Sequence, residues 1–268
     1  MSARHKPRHF LVLPAAGVGR RMQQTQPKQY QSLLGKPLLQ HTLERVATHP
    51  VFDQTVLALA AEDPYWPALA QALPATLAAR IVTVTGGADR AASVRAALAA
   101  LATQAREDDW VLVHDAVRPC LERADLERLV ETLRDAPVGG ILATRVRETV
   151  KMATPEGCIA ATVDRSPLWL AATPQMFRYG LLCRALEAAR SQGVVVTDEA
   201  EAVENWLSGQ GTAAPGGINL VPGSAANLKV TYPEDLRLAA LLLGAGSGMG
   251  LPVKDPLEAG SPGESTCP

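Results

Sequence analysis

The chain has 268 residues, of which 47% are hydrophobic and 20% charged, a composition typical of globular rather than disordered proteins. Lys and Arg number 26 against 27 Asp and Glu, so the formal net charge is -1, and the basic excess of a nonspecific nucleic-acid-binding protein is missing. No apolar stretch reaches the ~20 residues that a membrane-spanning helix needs, which argues against a membrane protein.

Short apolar runs alternate with amphipathic stretches along most of the chain. The apolar runs predict buried strands at 10–13, 55–60, 81–84, 110–113, 140–143 and 218–221. The amphipathic stretches predict helices at 37–48, 91–103, 123–134, 181–190, 199–207 and 233–243. This alternation is typical of βαβ units. The sequence therefore predicts a single α/β domain over 1–243, with a mostly parallel sheet covered by helices on both faces.

Two segments depart from the alternation. Residues 145–167 hold two short strand-like runs around the turn sequence TPEG at 154–157, which predicts a protruding β-hairpin arm. Residues 244–268 are rich in Gly, Pro and Ser and show no periodicity, which predicts a disordered tail.

The cysteines and the start of the chain bear on the cellular compartment. Cys120, Cys158, Cys183 and Cys267 show neither CxxC pairing nor the spacing of a disulfide framework, so we expect free thiols in a reducing compartment. The apolar run at 10–13 is shorter than the ~7–15 residues of a signal-peptide core. We therefore expect a cytoplasmic protein.

A Gly-rich turn, PAAGVGRRM at 14–22, follows the first predicted strand directly. Its small residues are Ala15, Ala16, Gly17 and Gly19. They allow a ligand to approach the backbone closely, and their N–H groups can line an anion. With Arg20, Arg21 and Lys28 nearby, the turn fits a triphosphate, although it matches neither a P-loop nor a dinucleotide fingerprint. The alternative is a tight turn with solvated arginines.

The segment TGGADRAAS at 85–93 connects a predicted strand to a predicted helix. Open α/β sheets bind ligands where strand ends meet helix starts, and the amides and carbonyls of Gly86 and Gly87 could read the edge of a base. The alternative is an ordinary βα loop in which Asp89 caps the helix.

The segment VHDAVRP at 113–119 also lies at a strand end. Asp115 could hold Mg²⁺ or its waters, and Arg118 could bind phosphate. The alternative is an Asp–Arg ion pair that shapes the loop. We interpret His114 as a structural histidine rather than a catalytic one.

Further polar segments are weak signals when taken singly, and solvated charge is their default interpretation. They are RETVK at 147–151, VDR at 163–165, TPQ at 173–175, TDE at 197–199 and NLKVT at 227–231. Trp169 and Phe177 are expected in the core.

Taken in order, these segments resemble the 2-C-methyl-D-erythritol 4-phosphate cytidylyltransferase family of the non-mevalonate isoprenoid pathway. The similar stretches, between about 10 and 243, are PAAGVGRRM, PKQY, TGGADRAASV, WVLVHDAVRPC, RETVK, TVDRSPLW, ATPQMF, VTDEAEAVE and NLKVTYPEDL. The chain departs from the family pattern at Ala88 and Ala92, where relatives often carry acidic residues.

The resemblance implies a Rossmann-like nucleotidyltransferase fold, a homodimer with interlocked arms, and a requirement for Mg²⁺ whose direct ligands it leaves open. It also implies the condensation of CTP with methylerythritol phosphate to CDP-methylerythritol and pyrophosphate. A phosphate nucleophile is already ionised at neutral pH. Fixed cations, rather than a general base, are therefore what the reaction needs.

The resemblance also assigns roles to residues of this sequence. Arg21 and Lys28 would stabilise the reacting phosphates as the catalytic pair. The implied nucleotide-binding residues are Ala15, Ala16, Gly17, Gly19, Gly86, Gly87, Ser93 and Asp115. The implied residues for the second substrate are Arg118, Thr149, Arg165, Thr173 and Lys229, with Arg165 reaching across the dimer.

Two other functions stay open at this point. A cytidylyltransferase for another polyol phosphate, such as ribitol 5-phosphate, would share the nucleotide motifs and differ in the arm, where Thr149 and Arg165 favour methylerythritol phosphate. A catalytically silent nucleotide-binding regulator would lack Arg21 or Lys28, and both residues are present.

Overall fold

The computed structural model describes residues 6–17, 26–210 and 217–245. The strands of the described chain are β1 (His9–Pro14), β2 (Ser32–Leu33), β3 (Lys36–Pro37), β4 (Gln54–Leu59), β5 (Ile81–Thr85), β6 (Trp110–Val113), β7 (Gly139–Arg145), β8 (Val150–Ala153), β9 (Ile159–Val163), β10 (Trp169–Arg178) and β11 (Ile218–Pro222). The α-helices are α1 (Leu38–Thr42), α2 (Trp66–Ala72), α3 (Ala75–Ala78), α4 (Arg90–Ala100), α5 (Arg123–Leu133), α6 (Tyr179–Ser191), α7 (Glu199–Gly209) and α8 (Pro233–Ala245). A 3-10 turn covers Lys28–Tyr30, and a π-helical turn over Leu43–Ala47 extends α1.

The central sheet has seven strands in the order β11-β7-β10-β6-β1-β4-β5. Strand β10 pairs antiparallel with both β6 and β7, whereas the other pairings of the sheet are parallel. The carboxyl ends of β1, β4, β5 and β6 therefore meet at one edge, where open α/β sheets bind ligands. The predicted mostly parallel α/β sheet is confirmed.

Helices cover both faces of the sheet because the strands bury apolar side chains on both sides. Leu11 and Leu13 of β1 face a cluster that includes leucines of α2, α3 and α5. Phe10 and Val12, the alternate residues of the same strand, face a second cluster built from α4, α6 and α7. In the part of the chain that the structure describes, no helix is long and apolar enough to cross a membrane.

The predicted elements are recovered with their ends shifted by a few residues, but several were missed. The predicted helix at 37–48 is α1 followed by the π-helical turn. The pattern of apolar residues did not predict β2, β3, α2, α3 or β10. The predicted tail at 244–268 was wrong for its first two residues, which close α8, and residues 246–268 lie outside the described residues. Phe177 is buried in the core as expected, whereas Trp169 is only half-buried.

The arm forms as predicted. Strands β8 and β9 make a separate antiparallel hairpin in which Val150 pairs with Val163, and a turn at 154–157 connects them. Its apolar side chains are poorly covered within one chain: Met152 is 57% and Ile159 69% exposed. Leu170, on the strand to which the arm returns, is 60% exposed.

Candidate active site

A cleft of about 420 Å³ opens at the carboxyl ends of β1, β5 and β6. Its lining residues are Pro14, Ala15, Ala16, Gly17, Lys28, Gln29, Gly87, Ala88, Asp89, Arg90, Ser93, Asp115, Ala116, Val117 and Lys229. The cleft therefore brings together residues from the Gly-rich turn, the 85–93 loop, the 113–119 loop and the distant 227–231 segment. Each of these segments is a separate candidate in the sequence, and the fold places them side by side.

The Gly-rich turn is anchored by the backbone of Ala15. The N–H of Ala15 donates to the carbonyl oxygen of Ala58 at 2.7 Å, and its own carbonyl accepts from Nε2 of the buried Gln29, also at 2.7 Å. Lys28, beside Gln29, extends Nζ to within 3.5 Å of the carbonyl oxygen of Val230. The predicted Gly19 and Arg21 lie outside the described residues.

Ser93 shapes the loop that precedes α4. Its hydroxyl donates to the carbonyl oxygen of Asp89 at 2.9 Å and accepts from the N–H of Gly87 at 3.1 Å. The Asp89 carboxylate accepts from the N–H of Ala92 at 2.7 Å, so Asp89 caps α4. The helix-cap alternative for this loop thus holds, and the loop still lines the cleft.

Gly86 packs too closely for any side chain. Its N–H donates to the carbonyl oxygen of Leu59 at 2.7 Å. A Cβ atom at this position would lie 2.5 Å from Cβ of Ala16 and 2.9 Å from Oγ of Ser93. The absence of a side chain at Gly86 therefore lets the 85–93 loop lie directly against the Gly-rich turn.

The carboxylate of Asp115 is held among three cations at the floor of the cleft. Its Oδ1 lies 3.0 Å from Nε of Arg90, and its Oδ2 lies 2.9 Å from Nζ of Lys229 and 3.3 Å from Nε of Arg118. Burial alone would raise the pKa of Asp115, but the charges of Arg90, Lys229 and Arg118 outweigh it and hold that pKa well below its usual range. Asp115 is therefore ionised throughout the physiological pH range.

Arg90 connects the cleft to the start of α7. Its two Nη atoms donate to the two carboxylate oxygens of the buried Glu199 at 2.7 and 2.9 Å, while Nε donates to Asp115. Burial would lower the pKa of Arg90, but the charges of Glu199 and Asp115 outweigh it and raise that pKa above its usual value. Arg90 thus bridges two carboxylates with one planar guanidinium.

His114 and Thr173 are buried behind Asp115. The Thr173 hydroxyl accepts from the backbone N–H of Asp115 at 3.1 Å and lies 3.0 Å from Nδ1 of His114. Nε2 of His114 lies 3.1 Å from the carbonyl oxygen of Arg118. A carbonyl only accepts, so Nε2 carries the proton and Nδ1 accepts from the Thr173 hydroxyl. Burial lowers the pKa of His114 to about 4, which fits the structural role predicted for it.

Arg118 points toward the protein rather than into the cleft. Its Nη1 donates to the carbonyl oxygen of Asn227 at 2.6 Å, and Nδ2 of Asn227 donates to the carbonyl oxygen of Thr173 at 2.7 Å. The Asp–Arg pair that shapes this loop is present. Thr173 and Arg118 therefore support the cleft from behind, and Lys229 is the residue of the predicted second-substrate set that lines it.

Thr149 and Arg165 lie on the arm, away from the cleft lining. Both are exposed, and Nη1 of Arg165 bonds to the carbonyl oxygen of Arg147 within the arm. One chain by itself thus does not bring these two predicted residues to Asp115 and Lys229.

The described residues offer little to a metal ion. They contain no group of three or more His, Cys, Asp or Glu side chains arranged to hold one. Mg²⁺ commonly binds through one or two carboxylates together with substrate phosphates. Among the described residues, Asp89 and Asp115 are the carboxylates that line the cleft, and this small donor set would suit an ion that is held mainly by the phosphates of a bound ligand.

The sequence motifs predicted no individual role for Arg90, Glu199, Asn227 or Gln29. Arg90 and Glu199 are 109 positions apart, so nothing local in the sequence indicates that they pair. A signal did exist, since Arg90 lies in the 85–93 loop and Glu199 in the TDE segment, both of which stood out for composition.

The comparisons with known proteins agree on one family. The family model described as "IspD: 2-C-methyl-D-erythritol 4-phosphate cytidylyltransferase" matches residues 9–245. The 2-C-methyl-D-erythritol 4-phosphate cytidylyltransferase of Ectopseudomonas mendocina is 51% identical over 228 residues, which cover 85% of this chain and 92% of that protein.

Solved structures agree with the sequence relatives. A crystal structure of a 4-diphosphocytidyl-2C-methyl-D-erythritol synthase is 40% identical with a TM-score of 0.73, covering 89% of this chain and 99% of that one. The 2-C-methyl-D-erythritol 4-phosphate cytidylyltransferase of Francisella tularensis is 34% identical with a TM-score of 0.72, covering 88% of this chain and 99% of that one.

Proposed function

The chain belongs to the 2-C-methyl-D-erythritol 4-phosphate cytidylyltransferase family, and we propose that the cleft at β1, β5 and β6 is its active site. There the cytidylyl group of CTP is transferred to 2-C-methyl-D-erythritol 4-phosphate, giving CDP-methylerythritol and pyrophosphate for isoprenoid synthesis. The proposal rests on one observation: Lys28, Arg90 and Lys229 line a cleft whose other wall is a Gly-rich turn and a close-packed Gly-Gly loop.

This geometry suits an attack of one phosphate on another. A phosphate oxygen of methylerythritol phosphate attacks the α-phosphorus of CTP, the bond to the β-phosphate oxygen breaks, and pyrophosphate leaves. Negative charge grows on the transferring group and on the leaving pyrophosphate. Fixed cations stabilise that charge because they need no reorganisation during the reaction. In this assignment Arg21 and Lys28 act on the CTP phosphates, and Lys229 orients the attacking phosphate.

The proposed reaction needs no side chain that removes a proton. The attacking phosphate is ionised near neutral pH, and His114, which precedes the cleft residue Asp115, is buried with both ring nitrogens in hydrogen bonds. Mg²⁺ bound with the triphosphate would neutralise phosphate charge, with Asp115 and Asp89 as the nearest carboxylates. The chain's own residues bind and orient the two anions.

The first experiment measures pyrophosphate release from CTP with methylerythritol phosphate, ribitol 5-phosphate or no acceptor. Each reaction is run with Mg²⁺ and with a chelator, and Lys28→Ala serves as the inactive control. We expect release with methylerythritol phosphate and Mg²⁺ only. Greater release with ribitol 5-phosphate than with methylerythritol phosphate would favour the other polyol substrate, and no release with any acceptor would favour a silent nucleotide-binding protein.

The arm supports a homodimer. Met152, Ile159 and Leu170 leave apolar surface in water on an isolated hairpin, and pairing with a second copy through a two-fold axis would bury it. Arg165 lies outside the cleft of its own chain. Exchange of the arms would deliver its guanidinium to the partner's cleft, where it would bind the substrate phosphate bidentately.

Subunit mixing tests this arrangement. Arg165→Ala and Lys28→Ala chains with different tags, each inactive alone, are co-expressed and the heterodimer is purified. If Arg165 acts in the partner's cleft, one site of the heterodimer is intact and activity returns to about half of wild type. Arg147→Ala, an exposed arginine of the same arm, is the matched control and should stay active. No recovery of activity, or a monomer in sedimentation, would contradict the proposal.

We propose that the enzyme is located in the cytoplasm. Cys120, Cys158 and Cys183 are free, which supports the reducing cytoplasm as the location of the enzyme.

A further inference from the structure

Glu199 is a buried carboxylate that does not line the cleft. It is the first residue of α7 and is 1% exposed. Both of its carboxylate oxygens are taken by the Nη atoms of Arg90, at 2.7 and 2.9 Å. The third nitrogen of that guanidinium, Nε, donates to Oδ1 of Asp115 at 3.0 Å. Glu199 is therefore connected to the cleft through a single side chain.

The start of α7 is locked in place by neighbouring hydrogen bonds. Asp198 caps the helix by accepting from the N–H of Glu201 at 2.9 Å, and its other carboxylate oxygen accepts from Nε2 of Gln175 at 2.9 Å. The side-chain oxygen of Gln175 accepts from the N–H of Ala200 at 2.9 Å. Gln175 lies on β10, opposite Val113 at the end of β6. The residues on either side of Glu199 are thus fixed to β10, and the backbone N–H of Asp115 donates to Thr173 of the same strand.

The bidentate pair determines which donors of Arg90 are available to Asp115. With both Nη atoms on Glu199, only Nε faces Asp115, and it uses only Oδ1. Oδ2 remains for Arg118 and for Lys229, whose Nζ lies at 2.9 Å. Without the Glu199 carboxylate, the planar fork of Arg90 would turn to the nearest remaining anion and bind both oxygens of Asp115. Lys229 would then lose its ion pair with Oδ2 of Asp115.

We propose that Glu199 is a positioning residue that acts through Arg90 and Asp115 to hold the ammonium group of Lys229 at the cleft. This inference rests on the proposed function insofar as Lys229 orients the attacking phosphate. Buried ion pairs contribute little net stability compared with apolar residues of similar size. Stability alone therefore does not explain a buried carboxylate at position 199, whereas a positioning role does.

The experiment uses the full chain and compares Glu199→Gln with Glu204→Gln. The first variant keeps the shape of the side chain and removes its charge. The second makes the same change at an exposed position of the same helix. We expect Glu199→Gln to raise KM for methylerythritol phosphate by about tenfold, below the ~100-fold that a 1 Å misplacement can cost. KM for CTP should change less than about threefold, and Glu204→Gln should match wild type.

A double-mutant cycle tests the route through Arg90. If Glu199 acts through that residue, Glu199→Gln should have no further effect on KM for methylerythritol phosphate in an Arg90→Gln background. Glu199→Asp retains the charge, and we expect it to recover part of the loss. It also provides a folded variant for comparison if Glu199→Gln does not fold. Additive effects of Arg90→Gln and Glu199→Gln, or a variant with a lowered Tm and both KM values unchanged, would overturn the proposal.

A readout independent of turnover separates this inference from the proposed function. Lysines are dimethylated with ¹³C, and the signal of Lys229 is assigned by its loss in Lys229→Arg. That signal should shift in Glu199→Gln and stay unchanged in Glu204→Gln. Wild-type protein that releases no pyrophosphate would refute the proposed function alone, whereas an unmoved Lys229 signal in Glu199→Gln would refute the positioning role alone.

Discussion

Acidification should destabilise the folded protein through His114. Its ring is fully buried and neutral, with Nε2 donating to the carbonyl oxygen of Arg118 and Nδ1 accepting from Thr173. Protonation would place a second N–H at Nδ1 and a charge away from water. The variant His114→Gln keeps a side-chain amide near the donor position but does not titrate, so it isolates the contribution of this one proton.

The size of the effect follows from the two pKa values. Burial lowers the pKa of His114 from 6.5 to about 4, so between these values the unfolded chain binds a proton that the folded chain does not. The free energy of unfolding therefore falls as the pH decreases through this window. At about 1.36 kcal/mol per pKa unit, the loss is about 2 kcal/mol between pH 7 and pH 5 and about 3 kcal/mol once the pH is below 4.

Urea denaturation measured at pH 7, 6 and 5 tests this expectation. Other groups also titrate, so the quantity of interest is the difference in pH dependence between wild type and His114→Gln. We expect the variant to be less stable at pH 7 but to lose about 2 kcal/mol less on going to pH 5. Unchanged m-values would show that the same unfolding transition is compared. Equal pH dependence in both proteins would refute the assignment of a neutral buried ring.

Three further outcomes are expected. Arg21→Ala or Lys28→Ala should lower kcat by ~10²–10³ with a smaller change in KM for CTP, measured by pyrophosphate release; near-normal kcat would make the residue structural. UTP should react with a kcat/KM about 5- to 150-fold lower than that of CTP. A buried carbonyl that faces the N4 amine of cytosine would lose its donor with UTP, which costs ~1–3 kcal/mol. ATP and GTP should hardly react, and equal turnover of all four nucleotides would exclude a base-reading slot. Gly86→Ala should lower the free energy of unfolding in urea by ~1–3 kcal/mol and raise KM for CTP, because the new Cβ would lie 2.5 Å from Cβ of Ala16. Gly209→Ala is the control, since a Cβ at that position meets nothing within 4 Å. Equal effects of the two substitutions would refute the role of close packing at Gly86.

The sequence predicted the parts of the fold that are determined locally. Strands such as β1 are apolar on both faces because helices cover both sides of the sheet, and such runs are recognisable without any partner. Strand β10 was missed because its first residues are partly exposed and Pro174 interrupts its pattern, so it does not resemble a buried strand. Its antiparallel direction depends on pairing with β6 and β7, which are distant in sequence.

The same distinction applies to the site. The Gly-rich turn and Lys28 lie close together in sequence, and their chemistry indicates an anion site by itself. The roles of Arg118 and Thr173 could not be predicted, because whether an arginine faces a ligand or a carbonyl depends on the backbone that folds beside it. In this fold Arg118 donates to the backbone carbonyl of Asn227, and the Thr173 hydroxyl donates to Nδ1 of His114.

Asp115 explains how a cluster of cations can exist before any substrate is bound. Arg90, Arg118 and Lys229 all lie within 3.3 Å of the Asp115 carboxylate, and without it their like charges would repel one another. A carboxylate between them balances that repulsion and fixes their positions, so the cost of bringing like charges together is met during folding rather than during the reaction. The Lys229 side chain is 39% exposed, whereas that of Asp115 is 7% exposed. The ammonium group of Lys229 is therefore accessible to a second anion. In the proposed function, the substrate phosphate would enter a site whose charges are already in place, which is the condition under which fixed cations lower a reaction barrier.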